Sequence, residues 1–396
     1  MKSNYKRLGD FIALKGKPNS EMLTKNLLGI NNAKYFVKAK TNLNGIDLSK
    51  YRIVENRQFA FNRATTRNGD KISIAFRDGD TCIVSPSYRI FEVVDEDLLD
   101  PEYLMMWFRR PEFDRYARYK SHGSAHEFFD YAEMCEVELP VPSIEKQREI
   151  VREYNVVNDR IALNEKLTKK LEDTAQAIYK QWFVDFEFPI TKEYAESIDK
   201  LELEGKPYKS SGGEMEFCEE LDKDIPKNFF YSEFSCFVEK ILSNRGKSKS
   251  NMNLQPYDDE FFHPVISAMN IKRNSIVKKD TISYVNKKDF NSWMPEPLLS
   301  GDIIMTSEAP LGELMYIADN CNYLISQRLF AFKSTKEVKG SYLYMALQNE
   351  DFKRELEGRA SGTTVLGIKL SELKKCKLLK PNIDIQILFD SIIDVI

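Results

Sequence analysis

From Ile150 onward apolar residues recur at alternating steps of four and three, at Ile150, Tyr154, Val157, Ile161, Leu171, Ala175, Ile178 and Trp182, with Asn164 and Thr168 in the same seam. This is the heptad rhythm of a coiled-coil face. No Pro or Gly interrupts 143–188, and Pro142 and Pro189 bracket the stretch. The spacing therefore predicts one long helix over about 144–182, roughly 55 Å long at ~1.5 Å per residue. Ser143 suits the N-cap and Glu145 the positive end of the helix dipole. The two polar seam positions weaken packing but can fix register. A helix of this kind is a spacer between domains; the plainer alternative is a long surface helix within one large domain.

Upstream the pattern changes. Short β-prone runs at 71–76 and 81–84 are separated by Asn68-Gly69-Asp70 and Asp78-Gly79-Asp80, which are turn signals. A helical stretch follows at 101–119, carrying Tyr103, Leu104, Trp107, Phe108, Phe113 and Tyr116 on alternate turns, with Arg109, Arg110, Arg115, Arg118 and Lys120 on its polar side. Strands followed by helices predict an α+β domain.

The same pattern returns later in the chain. At a constant offset of 239 positions Tyr103-Leu104 matches Tyr342-Leu343, Phe113 matches Phe352, Gly123-Ser124 matches Gly362-Thr363 and Glu133 matches Glu372. The register continues without a gap through Leu139 and Leu378, Pro142 and Pro381, Ile144 and Ile383, Glu145 and Asp384, and Gln147 and Gln386. Two diverged copies of one unit are the simplest explanation. Upstream the register drifts, with Tyr5 to Ile12 resembling Tyr231 to Val238, and Val84-Ser85 resembling Ile325-Ser326. A second helix is expected from Ile383, capped by Asn382. Over 383–396 it spans only about 20 Å, so it covers less than half of the first helix, and the remaining seam is expected to be completed by a partner protein or a second copy.

Composition adds mainly exclusions. The 396 residues carry a formal charge of -3 and a pI near 5.9, so no global basicity points to nucleic acid. Acidic residues concentrate at 193–224, however, which leaves a basic excess on both sides. The six cysteines, Cys82, Cys135, Cys218, Cys236, Cys321 and Cys376, form no CxxC pair and read as reduced thiols. No signal peptide and no membrane-spanning run is evident, so a cytoplasmic protein without membrane attachment is expected. Arg245-Gly246-Lys247-Ser248 resembles the end of a P-loop, but Ile241 stands where its first glycine belongs. A flexible basic loop is the better reading. His122 and His126 beside Glu127 have a metal-chelating spacing on a helix, but Gly123 makes the segment a loop. No catalytic constellation is found, and neither a metal nor any cofactor of the chain's own is expected.

Leu139-Pro140-Val141-Pro142-Ser143-Ile144-Glu145-Lys146-Gln147, leading into a helix that ends in Ile178-Tyr179-Lys180-Gln181-Trp182-Phe183-Val184-Asp185-Phe186, resembles the central region of the specificity subunits of type I restriction-modification systems. Tyr208-Lys209-Ser210-Ser211-Gly212-Gly213-Glu214-Met215 and Ile225-Pro226 resemble the lead-in to that family's second half, and Gly362-Thr363-Thr364 through Gln386 its end. The resemblance covers essentially the whole chain. It implies an α+β protein of two repeated α/β target-recognition domains separated by long coiled-coil helices, with pseudo-two-fold internal symmetry. The expected divisions are a first recognition domain at 1–142, a central spacer helix at 143–188, an acidic linker at 189–226, a second recognition domain at 227–381, and a short terminal helix at 382–396 that pairs with the central one.

The implied function is DNA reading without catalysis. Each recognition domain reads one half of a bipartite target in double-stranded DNA, and the divergence of the halves implies an asymmetric target. Two methyltransferase subunits and two restriction motor-nuclease subunits are the implied partners, and S-adenosylmethionine, ATP and Mg belong to them. Candidate DNA-binding residues are Arg63, Thr65, Thr66, Arg67, Asn68, Ser121, His122, Gly123 and Ser124 in the first half, and Ser307, Glu308, Gln327, Arg328, Arg359, Ser361, Gly362, Thr363 and Thr364 in the second. They are polar loop positions able to meet base edges or phosphates. Arg109, Arg110, Arg115 and Arg118 are candidates for phosphates only. The seam residues Ile150, Tyr154, Val157, Ile161, Asn164, Leu171, Ile178 and Trp182 are the expected subunit interface. A non-catalytic protein-binding scaffold of two modules, or a truncated or silent variant of the family, would share many of these features.

Overall fold

A computed structural model describes residues 5–39, 45–64, 71–121, 127–246, 252–362 and 365–394. The chain forms two compact units, Met1–Glu165 and Lys166–Ile396, and the class is α+β.

In the first unit a four-stranded antiparallel sheet has the order Ile12–Lys15, Tyr88–Val93, Phe59–Asn62, Ile74–Phe76. Side chains alternate across it as the strand period requires. Phe59, Phe61, Phe91 and Val93 face a core with Leu104, Phe108, Phe113 and Phe129, while Ala60, Tyr88 and Ile90 face a second core with Val54, Cys82 and Val84. Phe59 stacks on Phe91 with centroids 4.9 Å apart, and Phe108 stands edge-on to both. The covering helix Pro101–Phe108 starts where Asp100 accepts from the N–H groups of Glu102 and Tyr103 and Pro101 opens the first turn. A buried ion pair ties a loop to the next helix, Pro111–Tyr119: Lys34 Nζ lies 2.7 Å from Asp114 Oδ1 and also donates to the Phe108 carbonyl. Burial pulls the Lys34 ammonium below its usual range despite the opposing pull of Asp114.

The second unit repeats the plan, with a sheet in the order Val238–Ser243, Leu329–Ser334, Ile303–Ser307, Leu311–Tyr316. Ile303 pairs with Phe332 as Phe59 pairs with Phe91. The helices Gly340–Gln348 and Glu350–Arg359 take the places of the first unit's two helices, and the ladder of Tyr5–Arg7 with Glu138–Pro140 reappears as Phe230–Glu233 with Lys377–Lys380.

The repetition extends to single hydrogen bonds. Gln147, fully buried, donates to the carbonyls of Leu98 and Pro142 and accepts from the Asp100 N–H. Gln386, also fully buried, donates to the carbonyls of Glu337 and Pro381 and accepts from the Lys339 N–H. Each partner lies 239 positions from its counterpart. The Tyr103 hydroxyl donates to the Pro140 carbonyl, and the Tyr342 hydroxyl to that of Leu379.

The long helix runs over Ile144–Phe183, 40 residues, and the Ser143 hydroxyl accepts from the Lys146 N–H at 3.4 Å. Its first turns belong to the first unit, where Gln147 and Val151 are buried. Asn155 there donates to Glu102. Its last turns belong to the second, where Tyr179, Trp182 and Phe183 surround Phe389 of the helix Ile383–Ile393. Every residue from 156 to 170 is exposed. The terminal helix differs from expectation in one detail: the Asn382 side chain makes no capping hydrogen bond, and Asn382 enters the helix only through its carbonyl, which accepts the first helical bond from the Gln386 N–H.

The acidic segment has structure of its own. It contains the helix Lys192–Ser197 and a hairpin of Met215–Cys218 with Lys223–Pro226, beside an aromatic stack in which Phe188 lies on Tyr208 and Phe229, at 4.5 and 5.4 Å. A Cβ on Gly213 would lie 2.4 Å from the Tyr208 ring, so the Gly-Gly of this motif lets the chain fold back onto that ring.

Replacing Gln147 with Ala leaves one N–H and two carbonyls without their partner, and is expected to cost at least about 1–3 kcal/mol. Faster amide exchange at Asp100, with the second unit unaffected, checks it. Asp114→Ala strands the buried Lys34 ammonium, with an expected loss of about 3–5 kcal/mol measurable by urea unfolding of the first unit.

Candidate nucleic-acid interface

One joint is built at the same place in each unit. In the first, the central strand Phe59–Asn62 runs into Arg63 and Ala64. Ala64 forms a β-bridge with Phe128, and the Phe129 N–H donates to the Arg63 carbonyl at 2.9 Å. In the second, the strand Ile303–Ser307 runs into Glu308, which bridges to Gly367 while the Ile368 N–H donates to the Ser307 carbonyl at 3.0 Å. Phe128 and Gly367 again differ by 239 positions. The sequence-predicted loops flank this joint in the chain. Of the candidates themselves, Thr65, Thr66, Arg67, Asn68, His122, Gly123, Ser124, Thr363 and Thr364 lie outside the described residues, as do His126 and Lys247-Ser248.

In the first unit Arg63 Nη1 donates to Asp130 Oδ2 at 2.8 Å, and Arg89 Nε lies 3.3 Å from Asp130 Oδ1. The Arg63 guanidinium also lies over the Phe128 ring, 5.1 Å from its centroid. Asp130 has a second task, capping the helix Tyr131–Cys135 in a reciprocal box with Glu133. Desolvation would raise the Asp130 carboxyl, but the hydrogen bonds from Arg63 and the Tyr131 N–H and the charges of both arginines outweigh it and hold the carboxyl below its usual range. The Ser121 hydroxyl donates to the Ala117 carbonyl at the end of its helix.

In the second unit Arg328 Nε pairs with Glu308 Oε1 at 2.9 Å, with Gln327 exposed beside it. Ser307 is buried. Ser361 and Gly367 exchange two backbone hydrogen bonds, of 2.9 and 3.0 Å, which closes a short loop at Gly362. That loop needs a glycine: Gly362 has φ +132°, and a Cβ there would sit 2.0 Å from the Val365 carbonyl oxygen. The structure thus brings Glu308, Arg328 and the Ser361–Gly362 turn to one joint. Arg359 is engaged on its own helix, donating to Glu355 at 2.7 Å and lying 3.8 Å from Glu372, with the Glu355 hydrogen bond raising its pKa.

Sequence reasoning missed Arg89 and Asp130, and it set Arg245 aside as part of a basic loop. Arg245 Nη1 donates to the Ile368 carbonyl at 3.0 Å, which places it at the second joint. The offset that links Phe128 to Gly367 could have pointed to Asp130. No sequence signal marks Arg89, whose role comes from the register of Phe61 with Arg89. Of the arginines considered for phosphate contact, Arg109 lies over Tyr35 and Arg110 over Trp107, both at 4.6 Å, Arg115 pairs with Glu112, and Arg118 pairs with Glu127.

Along the long helix Ile150, Tyr154, Leu171 and Ile178 are half-buried, Trp182 is buried, and Val157, Ile161 and Asn164 are exposed. Val157 and Ile161 are 59% and 52% exposed, and Leu163 and Leu167 are also exposed. Apolar side chains thus remain uncovered on the middle turns. Among the described residues no helix is long and apolar enough to cross a membrane.

The arrangement can present guanidinium, carboxylate and amide groups at rigid strand ends, the groups that recognise base edges and phosphates. Because the folded Asp130 carboxyl sits below its unfolded value, its stabilising effect is complete above the ordinary Asp range, about 3.9. It is lost as pH falls through the lowered folded value. Acid unfolding of the parent against Asp130→Asn, which keeps the cap, should show a stability difference that disappears at low pH.

No family model matches the chain. It is 29% identical over 137 residues to the type I restriction enzyme MjaIX specificity subunit of Methanocaldococcus jannaschii, a match covering 35% of this chain and only 27% of that protein's length. It is 23% identical over 349 residues to the type I restriction enzyme HindI specificity subunit of Haemophilus influenzae, covering 79% of this chain and 74% of that protein. In fold it is similar to the S subunit of a type I restriction-modification system from M. genitalium, with a TM-score of 0.55 at 14% identity, over 100% of this chain and 91% of that one. In sequence the chain is therefore similar to specificity subunits of type I restriction enzymes, and in fold to a type I S subunit.

Proposed function

We propose that the chain is the DNA-reading subunit of a type I restriction-modification complex, and that each unit reads one half of an asymmetric bipartite target in double-stranded DNA. The observation that carries this reading is the joint built twice on one hydrogen-bond plan, with different residues set on it: Arg63, Arg89 and Asp130 in one unit, Glu308 and Arg328 in the other. A common scaffold with different reading groups is what two unlike half-sites require. The predicted recognition residues 65–68, 122–124 and 363–364 adjoin those joints in the sequence, and Gln327, Ser361 and Gly362 complete the second set.

The long helix Ile144–Phe183 is the spacer in this reading, and its uncovered turns, with Val157, Ile161 and Leu163 exposed, are where methyltransferase subunits dock. Two methyltransferase and two restriction subunits supply the chemistry, with S-adenosylmethionine, ATP and Mg bound by them. The chain contributes recognition and placement.

Co-expression with the cognate methyltransferase, followed by genome-wide mapping of modified adenines by single-molecule sequencing, should return a bipartite motif with two different halves. Arg328→Ala should relax or abolish only the half read by the second unit, at about 1–3 kcal/mol per lost base contact. A genome without any modified motif would count against the reading. Ile161→Asp should weaken co-purification of the methyltransferase while leaving the circular dichroism of the chain unchanged.

A further inference from the structure

The arginines around the two joints share a feature that the functional reading does not require. Arg63 and Arg89 hold Asp130, Arg118 holds Glu127, Arg328 holds Glu308, and Arg359 holds Glu355. Arg359 and Glu355 are an ordinary i,i+4 helix pair, but the partners of Arg63, Arg89, Arg118 and Arg328 lie well outside that spacing, so their pairing belongs to the fold. It recurs in both units with different residues. The carboxylates are also partly exposed, Asp130 at 40% and Glu308 at 37% of their side chains, so they present negative charge on the same surface as the guanidinium groups.

Resting on the DNA-reading function, we propose that Asp130 and Glu308 are specificity-determining residues that occupy the reading arginines as internal anions, so that DNA of the wrong sequence is refused. A duplex phosphate arriving alone gains little, because it must displace a carboxylate already hydrogen-bonded to the same guanidinium and is repelled by that carboxylate afterwards. The correct half-site offers more. Guanine presents two acceptors to an arginine, and cytosine presents an amino donor to a carboxylate, so both members of a pair such as Glu308 and Arg328 keep a partner when they separate. Partly exposed pairs of this kind are held weakly enough to be exchanged. A reader whose arginines are neutralised in place does not depend on bulk basicity, which attracts all sequences equally.

The test is binding of the full chain to random-sequence duplex across a salt series, read by fluorescence anisotropy. Glu308→Gln frees one arginine and Asp130→Asn frees two, the latter keeping a side chain able to cap its helix. Each freed arginine adds a phosphate contact, so the slope of log K against log salt should steepen by about 0.9 per arginine. The affinity for random duplex at low salt should rise at least about threefold beyond that of Glu219→Gln, which removes the same charge on an exposed turn. The double variant Glu308→Gln, Arg328→Gln should return to the Glu219→Gln level. The proposal is overturned if the two variants match Glu219→Gln in affinity and slope, or if the gain survives loss of Arg328. Failure of the underlying function has a different signature, since the parent chain with its methyltransferase would then mark no motif at all, whatever the variants do.

Discussion

Each unit depends on one buried glutamine whose hydrogen bonds all go to the backbone. A buried amide has two donor hydrogens and an acceptor oxygen to satisfy, and Gln147 and Gln386 satisfy them on backbone groups from two different segments: the turn before the first covering helix, and the proline that precedes their own helix. Leaving such groups unpaired in the interior is costly, so the position at which the helix leaves the unit is fixed by hydrogen bonds with little freedom to slide. The tyrosine that reaches the carbonyl at 140 or 379 closes the same corner from the other side. Sheet, covering helices and outgoing helix are thereby locked into one frame, and the strand-end joints inherit their geometry from it.

Much of this frame is legible in the residues themselves. The heptad seam and the flanking prolines locate the long helix because helix boundaries are a local matter of caps and forbidden dihedrals. The offset of 239 positions exposes the repeat because Tyr, Pro and Gln are retained where hydrogen bonds demand them. The register of Phe59 with Phe91 and the two-sided burial of the sheet are not legible, since strand pairing joins distant segments and leaves no short-range signature. The acidic stretch reads as a linker from its charge, and only the stack of Phe188, Tyr208 and Phe229 makes it a folded piece.

The candidate surface was legible only in part, for the same reason. Loop composition points to Arg63, Glu308 and Arg328 as polar residues near turns, but nothing local says that Arg63 meets Asp130 or that Arg89 meets it too. Those encounters are long-range, and they change the meaning of the residues. A lone arginine is a general phosphate ligand. An arginine already holding a carboxylate is a more selective group, and a count of charges along the chain cannot distinguish the two.

The uncovered turns 156–170 of the long helix have a kinetic meaning as well as a surface one. A stretch of fifteen exposed residues is marginal as an isolated helix, because the first turn is unfavourable to form and only later turns propagate readily. Here the first turn is never needed, since packed turns stand on either side of the segment and propagation can proceed inward from both. The middle of the helix therefore owes its persistence to its ends, and loosening of either anchored end would be felt as fraying in these exposed turns.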